Sequence, residues 1–446
     1  MCFKYKFSFL LFLLASGLNA QQELMLNALP DLWHTNSVNP AFFPEGKRFA
    51  VGLPGYSLDA AHSGDITYND ILRREGDRTV IDLGNVIDKL DPENEVFFDQ
   101  RVETVSFGIR SRDDKWGLQL GHAIVLSGWV NYPKALAEVL WNGNAPYVGQ
   151  TLQIGPQTDI FDWQEWNAGI SRRFGNFSVG ARVKFLTGVS ALVTETGRNT
   201  MSVYTDPDIY QLTLTTDYAF HSSSIISAID TAGLGFEFVT GSFGKQPSFD
   251  NSGVAFDLGL QAKLSERLSI NAAILNLGGT ITWEKNANLY ASKNQYTYEG
   301  GTFPGTDIIN GADDIDFESK LDTLNDIFQF QKTSEAFQSA LPLRVLAGAT
   351  FRFSEKWHVG VNVYYQDTDN RTNTAGGVHV RWLPARWLSL GAMYSANSRS
   401  SSNLGFHVAV TPGPIQFYLL SDNLLNAFSL KNSPAINLRA GAALVF

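Results

Sequence analysis

The chain has 446 residues, and its 44 Asp and Glu outnumber its 34 Lys and Arg to give a formal net charge of −10. That acidic balance argues against nucleic acid as a partner. The single cysteine, Cys2, excludes a disulfide framework and a thiolate metal centre. Charged residues make up only 17% against 13% aromatics and 39 glycines, values that suit many strands with aromatic belts.

In chain order, Lys4 and Lys6 precede an apolar run from Phe7 to Ala15, and Ala20 closes the segment on a small residue. Residues 1–20 therefore read as a cleaved secretory signal. Cleavage would take Cys2, Lys4 and Lys6 with it and leave a net charge of about −12. No apolar run of 18 residues occurs after residue 20, so a spanning helix is excluded. Residues 21–47, with Leu29-Pro30 and Asn39-Pro40-Ala41, are too irregular for a strand. They read either as a hatch tucked into the periplasmic mouth of a barrel or as a solvated arm.

Residues 48–446 alternate with period two. Strands are predicted to start near Arg48, Arg101, Trp116, Gln164, Phe177, Gly253, Leu268, Leu343, Trp357, Gly376, Trp387, Asn403, Ile415 and Ala435. Segments of about ten residues, a second face rich in Gly, Asn and Gln, and aromatics at segment ends favour a membrane barrel over a soluble sandwich. The aromatics at one end are Trp116, Phe174, Trp357, Trp382 and Trp387; those at the other are Trp129, Trp283, Tyr365 and Tyr394. The fold class is thus all-β: a transmembrane antiparallel barrel of about fourteen strands, with long extracellular loops and a location in the cell outer membrane. Short turns alternate with long connections at about 63–99, 131–159, 191–250 and 284–341. Pro133–Gly143 and Thr323–Ala340 read as helices, and 191–221 as an extension of the barrel wall.

Alternation points Arg110, Arg173, Arg182, Lys184, Lys263, Arg344, Arg352, Arg381 and Arg439 into the lumen, with Asp257 as the clear acidic counterpart. Two readings stay open: a basic path for anionic solutes, or ion pairs bracing a plugged barrel. The seven histidines are scattered and no nucleophile elbow or phosphate loop occurs, so neither catalysis nor a cofactor is expected. The acidic run 313–318 lacks the spacing of a calcium loop and reads as solvated. Asp230-Thr231-Ala232 and Asp322-Thr323-Leu324 match a short glycosylation pattern. The final Phe446, ending an outward row of Leu438, Ala440, Ala442 and Leu444, has the form of a signal read by barrel-assembly machinery.

The run Ser37-Val38-Asn39-Pro40-Ala41-Phe42-Phe43 resembles the N-terminal Asn-Pro-Ala segment of FadL-type hydrophobe transporters and their Bacteroidota relatives. Gly180 to Gly188, Phe256 to Leu260, and Ile274-Leu275-Asn276-Leu277-Gly278 with Trp283 resemble segments of a Bacteroidota outer-membrane family of unknown function. The resemblance implies fourteen strands, an N-terminal hatch and a hydrophobic substrate route. It also extends to the type IX secretion barrel, which binds proteins. The function expected is therefore passage of a small hydrophobic or amphipathic solute, with a non-transporting scaffold or secretion component as the alternative. The partners expected are outer-membrane lipid, the assembly machinery, and a solute or a protein.

Overall fold

The structure, a computed structural model, describes residues 23–446 apart from 64–65, 68–69, 71, 76–77, 82, 225–248, 299–328, 369–370, 398–402 and 424–434. The signal read in residues 1–20, the acidic run 313–318 and both Asp-Thr motifs lie outside the described residues.

Fourteen antiparallel strands close into a barrel. They are β1 (Phe49–His62), β2 (Glu93–Arg110), β3 (Trp116–Pro133), β4 (Gln157–Phe174), β5 (Phe177–Thr205), β6 (Ser252–Lys263), β7 (Leu268–Trp283), β8 (Leu343–Arg352), β9 (Trp357–Thr368), β10 (Arg371–Ala385), β11 (Leu388–Asn397), β12 (Asn403–Val410), β13 (Ile415–Ser421) and β14 (Ala435–Val445). Each strand pairs with the next. β14 returns to β1 with Ala50 opposite Val445 and Ala61 opposite Ala435, so no edge is left open.

The alternation separates two environments. Val359, Val361 and Val363 are 42%, 50% and 55% exposed on the outer surface, whereas Asn362 between them is 2% exposed. Leu118, Leu120, Phe107, Phe185, Phe256 and Phe417 continue that apolar outer belt. A belt of this kind is stable against lipid, and no helix among the described residues is long and apolar enough to cross a membrane.

The tight turns, such as Gly175-Asn176 between β4 and β5, share one end of the barrel with the start of β1 and with Phe446, where Arg48 N donates to Phe446 O at 2.6 Å. In outer-membrane barrels the short turns lie at the periplasmic end. At the opposite end β5 runs on to Thr205, and strands Leu212–Ser223 and Ala287–Tyr298 extend the wall beside it. The helix expected at Pro133–Gly143 spans Lys134–Asn142 and buries Val139 against Val203, Leu212 and Leu214 of that extension.

Two expectations are corrected. The described part of the supposed helix Thr323–Ala340 contains two short strands, Gln331–Ser334 and Phe337–Ala340, paired to Ala287–Tyr298 and to β7. Cross-strand pairing overrides its loose helical periodicity. Trp129 and Trp283 do not belong to an outer girdle, being 9% and 0% exposed. Trp283 shares the parity of Ala273 and Leu275, which also point inward.

Candidate functional site

The lumen is filled by the segment before β1. Helix α1 (Glu23–Asn27) leads through Pro30 into a 3-10 turn, Trp33–Ser37. Leu24, Met25, Leu26, Leu29 and Leu32 are each at most 4% exposed and pack on the inward-facing Leu275, Leu346, Tyr364, Met393, Tyr418 and Leu420. Burying each such side chain contributes about 1.5–3 kcal/mol, so this segment is docked rather than solvated. Trp33 Nε1 donates to Ser106 Oγ at 2.7 Å. His34 is 3% exposed, and burial holds its imidazole below the usual histidine value despite Glu103 nearby.

Asn39-Pro40-Ala41 forms the tightest contact with the wall. The Asn39 side chain accepts from Ala41 N at 2.9 Å and donates to the carbonyls of Leu260 and Ala272 at 3.1 and 3.2 Å. Gln119 Nε2 donates to Pro40 O at 3.3 Å. The wall approaches so closely because two strand positions are glycine. A Cβ on Gly180 would stand 2.3 Å from Pro40, and one on Gly259 would stand 2.1 Å from Asn39 Oδ1.

Five of the nine basic residues bond to the plug or to buried carboxylates of the wall. Arg182 donates to Asp257 at 2.7 Å through Nε, and to the carbonyls of Asn36 and Ser37 at 2.9 Å through its two terminal nitrogens. Lys184 lies 3.0 Å from Asp257 and 3.7 Å from Glu165. Arg439 reaches Glu103 at 2.5 Å and Ser37 Oγ at 2.9 Å. Arg344 pairs with Glu23, and Arg381 with Asp31 at 2.8 Å. The other four sit towards the short-turn end of the barrel. Arg110 and Arg173 share Asp114, Lys263 meets Glu45 at 2.5 Å, and Arg352 donates to Glu266 O at 2.6 Å.

The cluster thus braces a plug, with carboxylates from both wall and plug. Asp257 is not its only acidic member. Glu103 and Glu165 were missed, as was Arg101, which donates to Glu165 at 2.9 and 3.1 Å. Glu165 has the parity of Arg173 and was legible. Glu103 was not, because a bulge between Glu103 and Val105 flips the parity set by Arg110.

Above the ions, towards the outer end, lies an apolar interior of Val125, Phe161, Trp163, Leu186, Ile281, Trp283, Phe337 and Leu341. Beside it the wall is interrupted. The β7–β8 ladder ends at Leu275–Arg344 and resumes where Leu341 N donates to Gly279 O at 2.9 Å, beside Thr280–Ala340. Pro342 has no N–H to give to a ladder. Asn276 and Gly278 stand at φ +60° and +65°, a conformation that bulges the strand. Asn276 is fixed there by three bonds: its N donates to Asp257 at 2.8 Å, its Oδ1 accepts from Lys184 at 2.8 Å, and its Nδ2 donates to Pro342 O at 2.9 Å. A cavity of about 50 Å³, room for a few water molecules, is lined by Glu23 of the plug, Val125 and Trp163 of the apolar interior, and Asn276 and Pro342 of the interruption.

A family model described as a family of unknown function, DUF5723, matches residues 40–422. No curated protein matches the sequence. Among solved structures, the toluene transporter TbuX of Ralstonia pickettii is similar at a TM-score of 0.44 and 12% identity, over 93% of each chain. The toluene transporter TodX of Pseudomonas putida is similar at 0.43 and 11%, over 96% of this chain and 97% of that one. The translocator domain of the autotransporter NalP of Neisseria meningitidis is similar at 0.30 and 9%, over 90% of each chain.

Proposed function

The chain belongs to the DUF5723 family, and we propose that it is a FadL-like outer-membrane barrel that passes a small hydrophobic or amphipathic solute. The observation that carries this reading is the interruption between β7 and β8, placed beside an apolar interior and above a plug that blocks the straight path. A solute entering from outside meets aromatic walls first. The buried ions and the docked plug then oppose descent, since an apolar molecule offers them no partner. The interrupted wall is the remaining exit, with Ile274 and Leu277, 37% and 43% exposed, on its lipid side. In this reading the basic cluster serves the plug and is not a path for anions.

The test uses the absence of cysteine beyond Cys2. A Cβ on Gly279 stands 3.1 Å from the Leu341 Cβ, just below the roughly 3.5–4.5 Å that a disulfide spans. The pair Gly279→Cys and Leu341→Cys should take up radiolabelled fatty acid or toluene when reduced and lose uptake when oxidised. Equal uptake in both states would remove this exit. No uptake of either solute by the unmodified protein would favour a scaffold, for which the wall extension of β5, Leu212–Ser223 and Ala287–Tyr298 provides the surface.

A further inference from the structure

On the outer face of β4, Arg172 is a basic group that the plug does not explain. Trp166, Ile170 and Phe174 are 45%, 44% and 50% exposed on the lipid side of β4, and Arg172 shares their parity, whereas Ser171 points inward at 9%. Arg172 therefore leaves the barrel sideways at the periplasmic rim. Trp116 lies directly across the β3–β4 ladder from it. Its guanidinium carbon stands 4.5 Å from the centre of the Trp116 ring and 4.6 Å from that of Phe174.

The nearest turn offers it no acid. Asp114 is engaged by Arg110 and Arg173. Asp113 accepts from Ser111 at 2.5 Å and from Lys115 N at 3.3 Å. Among the described residues no carboxylate lies within ion-pair distance of Arg172. Two rings thus hold a cation in place at headgroup depth and leave its N–H fork free for a planar or tetrahedral anion.

We infer that Arg172, Trp116 and Phe174 form a binding site for the phosphodiester of an anionic phospholipid in the inner leaflet. This rests on the membrane reading above. The anion that reaches an outward group at this depth is a lipid headgroup, and one basic residue near a membrane surface contributes about 1 kcal/mol, or about fivefold, towards anionic lipid.

The full-length protein, folded in neutral detergent, is titrated with phosphatidylglycerol or phosphatidylcholine and read by native mass spectrometry. Phosphatidylglycerol retention should fall about fivefold in Arg172→Gln, with phosphatidylcholine unchanged. Arg386→Gln, at an exposed arginine on the same rim, should lower phosphatidylglycerol retention by less than Arg172→Gln does and leave phosphatidylcholine unchanged. Heat-modifiable migration checks that each variant is folded. Equal phosphatidylglycerol retention in Arg172→Gln, an equal fall in Arg386→Gln, or displacement of the lipid by millimolar inorganic phosphate would each overturn the site. Retention of neither lipid by the unmodified protein would overturn the membrane reading itself.

Discussion

Single residues here carry consequences set by which side of the wall they occupy. Val361→Arg places a charge against lipid at a cost of about 2–4 kcal/mol and should lower the amount of folded protein in the membrane fraction. Alternation alone makes the next position tolerant, because a water-filled lumen accepts arginine. The structure reverses that expectation. Asn362 accepts from Asn27 of the plug at 2.9 Å and is 2% exposed, so Asn362→Arg should also be disruptive, through loss of the plug rather than of insertion. Raised conductance with normal membrane levels would distinguish the two. Asp257→Asn leaves Arg182 and Lys184 short of a charge and should destabilise by about 3–5 kcal/mol, seen as a lower temperature for loss of heat-modifiable migration. The parity of Arg182, Lys184 and Asp257 was readable from period two. The bulges at Glu103–Val105 and at Asn276–Gly278 were not, since each inserts a residue that no alternation pattern announces.

Among the elements, the strands were the most legible and the plug the least. Every barrel strand falls on an alternating stretch, although β2, β4 and β10 start at Glu93, Gln157 and Arg371 rather than near Arg101, Gln164 and Gly376. Their outer ends, rich in Glu, Asn, Gln and Asp, lack the apolar partner row that marks the lipid belt. The plug shows no period because its shape is dictated by the wall around it. Its docking should respond to pH through His34. Burial depresses the basicity of this group, so the docked form keeps it neutral while an undocked plug binds a proton below pH of about 6.5. Acidification through that value therefore favours release. Conductance in planar bilayers should be small at pH 8 and rise towards pH 5, and His34→Gln should flatten that rise. A flat profile in the unmodified protein would oppose this account. At the other end of the chain, Phe446 is 55% exposed, and its N donates to Phe49 O at 2.8 Å, completing the seam. Removing Phe446 should reduce assembled barrel several-fold on immunoblots of outer membrane, and an unchanged level would argue against its role as an assembly signal.

The whole molecule is a closed wall around a filled centre, with solute passage proposed at its side. Removing residues 21–47 should turn a nearly silent protein into a conducting one, because Arg182, Arg344, Arg381 and Arg439 would then face water in place of their partners in the plug. A large steady conductance before removal would mean that the plug does not seal. Composition and alternation reached the barrel. They did not reach the break in the β7–β8 ladder, where Asn276 donates to Pro342 from a strand nearly seventy residues away in sequence.

The plug precedes every barrel strand in the chain, yet it is held in part by groups near the other end. Trp33 N donates to Gln416 at 2.9 Å and Met25 N to Asp422 at 3.2 Å, partners 383 and 397 residues downstream. Contacts of such separation form late, after the intervening chain has found its place. The seam that closes the wall, with Ala50 opposite Val445, joins residues just as distant in sequence, so plug and wall are completed at the same late stage. Vesicles into which the protein refolds should therefore leak dye only until the last strands are in place, and efflux that outlasts the seam would show that the plug docks afterwards.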